Sequence, residues 1–224
     1  MRRSVRWLGL IVFLGAIGQL LVWWLRLPAS ASAHGGIRAA TIDLLLFSAF
    51  ALHHSVLART PMKRLMTRGV PPDLVRTAYV LVASALLVAM CLRWQPIGGQ
   101  MYRLGGAAAV AGVLLQWAGV VVGVLAVRRI DLGELSGVSD PKPAERLQCM
   151  GPFRYVRHPL YLGWVLMVFG APLMTVDRLL FAAVSTAYLL IAMPFEEAGL
   201  VTQFGSDYLE YRQQVRWRLI PYVH

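Results

Sequence analysis

The chain has 224 residues, 58% of them hydrophobic and only 15% charged, with a mean hydropathy of +0.59. Soluble domains carry roughly 45–50% apolar residues, so this is a membrane-protein composition, and its long apolar runs leave no length for a separate extramembrane domain. A formal charge of +11 does not mark a nucleic-acid binder here, because the cations lie between apolar runs and form no basic face with interleaved aromatics.

Apolar runs of spanning or near-spanning length occupy approximately 5–27, 41–58, 74–92, 104–127, 159–176 and 179–195. They predict an all-α, polytopic membrane helical bundle of about six transmembrane helices. The start, MRRSVRW with a later PASASAHGG, has the look of a signal peptide, yet its apolar run exceeds the usual ~7–15 residues and Trp23 and Trp24 suit an interfacial belt. A retained first helix is expected. With the N-terminus in the cytoplasm, the inside segments hold 17 of 22 cations, among them Arg59, Lys63, Arg64, Arg68, Lys142 and Arg146. Both termini are therefore expected on the cytoplasmic side of a bacterial inner membrane.

At the end of the second run, His53-His54 offers either a polar lining to a cytoplasmic pocket or a capped helix end. Metal binding is not expected: adjacent helical histidines diverge, and Cys91 and Cys149 are isolated thiols without zinc or redox spacing. The fifth run opens with GPFRYVRHPLYLGW. Proline suits the first helical position, which makes His158 the expected cap. Arg154 and Arg157 would then either reinforce an anion site at the helix N-terminus or snorkel to lipid headgroups. Tyr161, three residues beyond His158, falls on the same helical face, and Gly163 permits close approach of another helix or a ligand.

The last two spans meet at Asp177-Arg178, which predicts a tight helical hairpin there. Met193-Pro194 is expected to interrupt the sixth helix. Glu196 and Glu197 follow; successive helical positions diverge by about 100°, so one carboxylate can face the bundle while the other reaches the interface. Leu200, Val201, Phe204, Tyr208, Tyr211 and Val215 recur at helical spacing and predict a C-terminal amphipathic helix, lying on the membrane or closing the mouth of the bundle.

Two ordered signatures, RHPxYxG and EExxLxxxFGxxYxxY, with a hydrophobic hairpin between them and a terminal RLIP, resemble the isoprenylcysteine carboxyl methyltransferase-like superfamily over about 144–221. The LHHSVLARTPMK stretch looks most like its methanethiol S-methyltransferase and NnrU-like branch. The resemblance implies a methyltransferase-like core at 144–224 behind an N-terminal transmembrane region at 1–143. It also implies a cytoplasm-facing S-adenosylmethionine site made by Leu147, Gln148, Phe153, His158, Pro159, Leu160, Tyr161 and Glu196. Prenylcysteine enzymes of the superfamily carry an arginine four residues before the first glutamate; Ala192 stands there. That departure favours a small thiol or another lipophilic acceptor, with Glu197 or His54 as the candidate to take its proton. The other readings are isoprenylcysteine carboxyl O-methylation, phospholipid N-methylation and a non-catalytic NnrU-like assembly factor.

Overall fold

Chain direction and helix ends are set by glycine, proline and short polar turns. A computed structural model describes residues 2–27, 33–57, 69–130, 138 and 147–221. Its helices are α1 (Arg2–Arg26), α2 (Gly36–Leu57), α3 (Val75–Arg93), α4 (Gly106–Val127), α5 (Pro159–Phe169), α6 (Val176–Phe204) and α7 (Ser206–Gln214). Two short strands, β1 (Gln100–Arg103) and β2 (Leu173–Thr175), form a two-stranded sheet. Arg59, Lys63, Arg64, Arg68, Lys142 and Arg146, residues 28–32 of the N-terminal small-residue stretch, and the end of LHHSVLARTPMK lie outside the described residues.

Among the described residues, five helices are long and apolar enough to cross a membrane: α1, α2, α3 with its preceding turn, α4 and α6. The sixth expected span is shorter than its apolar run, since α5 has 11 residues and ends at Phe169 before Gly170. Large apolar side chains such as Ile11, Leu45, Val110, Leu114, Trp117 and Ile191 are exposed on these helices. On a soluble protein they would form an aggregation surface; on an integral membrane protein they face lipid.

The chain divides into two compact units. The first comprises Met1–Met101, Leu132–Pro141 and Thr175–Leu180. In it α1 and α2 both pack on α3. The expected hairpin turn at Asp177-Arg178 is instead the first turn of α6. Asp177 is fully buried and its carboxylate accepts from Trp94 Nε1 (3.0 Å), Ile97 N (3.0 Å) and Gly98 N (3.3 Å). The Arg178 guanidinium lies 4.8 Å from the centre of the Trp24 ring and donates to the Trp24 carbonyl. A polar pair that reads as a solvent-facing turn is thus an anchor, because three buried N–H donors need an acceptor.

The second unit comprises Tyr102–Asp131, Lys142–Met174 and Phe181–His224. Here α4 packs along α5 through small residues, the usual way for apolar helices to approach within lipid. A Cβ added at Gly163 would stand 2.6 Å from the Gly119 carbonyl oxygen, and one at Gly119 would stand 2.5 Å from the Gly163 carbonyl oxygen. Gln116 Nε2 donates to the Met167 carbonyl at 3.0 Å across the same seam. The expected interruption at Pro194 does not occur: α6 continues through it to Phe204. The break falls at Gly205, whose φ of +56° is a left-handed conformation that side-chain-bearing residues disfavour. The expected amphipathic helix is consequently divided between the end of α6 and α7. Its apolar face still holds together, with Tyr208, Tyr211 and Val215 buried against Leu147, Cys149, Leu200, Val201 and Phe204.

Candidate functional site

His158 is the residue preceding the first turn of α5 and Pro159 occupies the first position, as the spacing predicts. The His158 side chain makes no capping bond; its carbonyl accepts from the Tyr161 and Leu162 N–H groups instead. The imidazole is therefore available for other contacts. It stacks on the Tyr161 ring at 5.3 Å between centres and 15° between planes. Its Nδ1 lies 3.6 Å from Glu196 Oε2, and the Tyr161 hydroxyl donates to Glu196 Oε1. Three of the expected cofactor residues, thirty-five positions apart in sequence at the Tyr161 to Glu196 step, meet in one cluster.

The two adjacent glutamates separate as helix geometry demands. The Glu196 side chain is 48% exposed and that of Glu197 is 4% exposed. Glu197 Oε1 accepts from Arg157 Nε at 2.7 Å, and Glu197 Oε2 lies 3.4 Å from Arg218 Nη2. Arg157 also donates from Nη1 to the carbonyls of Val215 (2.8 Å) and Arg216 (2.7 Å). Along the backbone, Arg157 N donates to Trp217 O and His158 N to Arg218 O, both at 2.9 Å. The expected anion site at the α5 N-terminus is reduced accordingly. Both amides before the helix are spent on the C-terminal segment, and Arg157 is spent on a carboxylate and two carbonyls.

Burial is the largest influence on His158 and outweighs its carboxylate neighbours, so the imidazole is held below the ordinary histidine range and is neutral at pH 7. Its Nε2 is buried and has no hydrogen-bond partner among the described residues, although Glu197 Oε1 stands 3.5 Å away. Tyr208 is fully buried nearby; burial, then the Glu197 carboxylate, pushes its phenol up to about 12.

The remaining expected residues are distributed. Pro159 is buried and sets the helix start. Leu160 reaches towards Gly123 of α4. Leu147 packs on the α7 cluster, Gln148 is exposed, and half-buried Phe153 offers its carbonyl to the Tyr211 hydroxyl at 2.8 Å. His54 belongs to the first unit. Its Nδ1 lies 2.8 Å from the Tyr79 hydroxyl, which also donates to the His54 carbonyl. Sequence reasoning gave no role to Arg218 or to the Tyr208 hydroxyl. The available signal was charge balance: a carboxylate buried at the end of a spanning helix requires cations, and Arg157 and Arg218 are the arginines inside the recognised motifs.

An imidazole, a phenol and a half-exposed carboxylate thus meet at the start of α5 in a chain whose long helices are apolar enough to span a membrane. The phospholipid methyltransferase family model matches residues 107–207. A methanethiol S-methyltransferase of Crocosphaera subtropica is 37% identical over 203 residues, covering 87% of this chain and 79% of the relative. Methanethiol S-methyltransferase 2 of Bradyrhizobium diazoefficiens is 36% identical over 79% of this chain and 71% of its own length. The methanethiol S-methyltransferase of Mycobacterium tuberculosis is 35% identical over 84% and 80%. The chain belongs to the family of these integral membrane methyltransferases, as the two signatures imply. No solved structure matches it.

Proposed function

We propose that the chain transfers the methyl group of S-adenosylmethionine to a small thiol at the cytoplasmic face of a bacterial inner membrane, with both termini in the cytoplasm. The observation that carries this reading is the meeting of His158, Tyr161 and Glu196 at the start of α5. These residues fit the cofactor. Glu196, half-exposed and already oriented by Tyr161, suits an amine or ribose hydroxyls. The Tyr161 ring suits a sulfonium through its π-face, and the neutral His158 ring stacked on it brings Nδ1 to 3.6 Å from Glu196 Oε2.

When bound, S-adenosylmethionine supplies a methyl group on a positively charged sulfur, open to in-line displacement. The chain's part is positioning and exclusion of water, which for oriented reactants supplies much of the acceleration. Glu197 and His54 are the expected candidates for proton acceptor, but both Glu197 oxygens lie against guanidinium groups. His54 enters no step of this proposal. The reacting form of the acceptor is the thiolate, whose formation is left to the solvent. The division at 143/144 stands as a functional proposal: every residue assigned to the site is C-terminal to it, and α4 supports α5 from the other side.

Small relatives of methanethiol are favoured as acceptors by the names of the relatives and by Ala192, which lies one turn before Glu196 on α6 and offers no cation to a substrate carboxylate. A second reading, phospholipid N-methylation, draws on the family model over 107–207. A methyl-transfer assay with labelled cofactor against methanethiol, prenylcysteine and phosphatidylethanolamine vesicles separates them. Volatile dimethyl sulfide from methanethiol supports the proposal; label found only in lipid or only in prenylcysteine ester overturns it.

A further inference from the structure

The Arg157–Glu197–Arg218 node is buried at Arg157 and Glu197 and partly exposed at Arg218, has Glu197 Oε1 3.5 Å from His158 Nε2, and joins all three motif segments. Arg157 belongs to the His-Pro signature, Glu197 to the paired glutamates and Arg218 to the terminal RLIP. Glu197 receives Arg157 Nε at 2.7 Å and has Arg218 Nη2 at 3.4 Å. With its Nε committed to Glu197, Arg157 points Nη1 at the Val215 and Arg216 carbonyls. The next two carbonyls, of Trp217 and Arg218, accept the Arg157 and His158 amides. Segment 215–219 is thereby a strap laid across the residues that introduce α5, with Val215 and Leu219 buried at its two ends.

We propose that Glu197 is a positioning residue, not the proton acceptor: it fixes Arg157, Arg157 fixes the C-terminal strap, and the strap fixes the backbone from which the His158 ring is presented to the cofactor. Two physical points support this. A carboxylate this buried is tolerated because it is paired with guanidinium groups, and removing one partner leaves an uncompensated charge. A base must reach the proton it takes, whereas Glu197 is turned away from the half-exposed face that Glu196 occupies. Tyr208, fully buried, is a neutral phenol whose pKa is raised first by burial and then by the Glu197 charge. The proposal rests on the reading of the His158–Tyr161–Glu196 cluster as the cofactor site.

The test compares wild type, Glu197→Gln and Arg218→Gln in detergent or nanodiscs by three readouts: hydrogen exchange at the Arg157 and His158 amides, S-adenosylmethionine affinity, and turnover against pH at saturating cofactor. Wild type must bind the cofactor; if it does not, the reading of the site fails whatever the variants do. Given binding, Glu197→Gln is expected to lose about tenfold or more in amide protection and to raise the cofactor Kd about tenfold, with kcat at saturation within about threefold and an unchanged pH profile. Arg218→Gln, which removes the more exposed partner, shifts protection and Kd in the same direction by less, and carries the test if Glu197→Gln does not fold. Wild-type protection and affinity in the folded variants overturn the proposal. A fall in kcat of about 100-fold at saturation with loss of a pH limb also overturns it, since that is the signature of a general base.

Discussion

The Tyr161 hydroxyl donates to the Glu196 carboxylate, tying the first turn of α5 to the C-terminal part of α6. Tyr161 is also the ring on which His158 stacks. One phenol therefore orients both a carboxylate and an imidazole, and the proposed cofactor site depends on its hydroxyl and its ring for different reasons.

Replacing Tyr161 separates the two. Tyr161→Phe keeps the stack and loses the bond to Glu196; a hydrogen bond to a charged group contributes about 1.5–3 kcal/mol, so cofactor affinity should fall about tenfold. Because Glu196→Gln weakens the same bond, the double variant should fall short of the summed losses by about 0.5 kcal/mol or more. Calorimetric titration of the four proteins measures this. Strict additivity would show that Tyr161 does not act through Glu196.

His158 predicts a pH dependence of stability. Its folded-state pKa lies below the ordinary value because burial penalises the imidazolium. Below about pH 6.5 the unfolded chain takes up a proton that the folded chain resists. Stability from this group is therefore complete above that pH and is lost as pH falls through it. Thermal unfolding of wild type should drop between pH 7 and pH 5, and His158→Gln should drop less. An equal decline in both proteins would contradict the assignment.

The α4–α5 seam makes a sharper structural prediction. At Gly163 an added Cβ would stand 2.6 Å from the Gly119 carbonyl oxygen and 2.8 Å from the Gly123 nitrogen, contacts that backbone cannot yield cheaply. Gly163→Ala and Gly119→Ala should each destabilise by about 1–3 kcal/mol and lower cofactor affinity through displacement of α5. Gly15→Ala and Gly18→Ala, where nothing lies within 4 Å of the new Cβ, are the controls; in a helix interior they should be neutral or stabilise by up to about 1 kcal/mol.

Local chemistry made much of this legible in the sequence. Apolar run length predicted five of the six expected spanning helices, proline placed the start of α5 at Pro159, and the 100° helical step foretold the different environments of Glu196 and Glu197. What sequence reasoning could not supply were pairings across distance. Asp177 reads as a turn residue until the buried Trp94, Ile97 and Gly98 donors are seen around it. Pro194 reads as a break, yet only one backbone donor is lost there and the helix continues. At Gly205 an apolar periodicity carries through a residue whose positive φ ends the helix. Arg157 reads as an anion ligand or a snorkelling cation because neither Glu197, forty residues later, nor the carbonyls of Val215 and Arg216 can be read as its partners from spacing alone.

The central claim is that His158 and Glu196 hold S-adenosylmethionine at the start of α5. Isothermal titration of the cofactor into purified wild type, His158→Ala and Glu196→Gln tests it most directly. Saturable binding to wild type is expected, with affinity at least about tenfold weaker in each variant, the loss of one or more charge-assisted contacts. Equal affinity in all three proteins would contradict it.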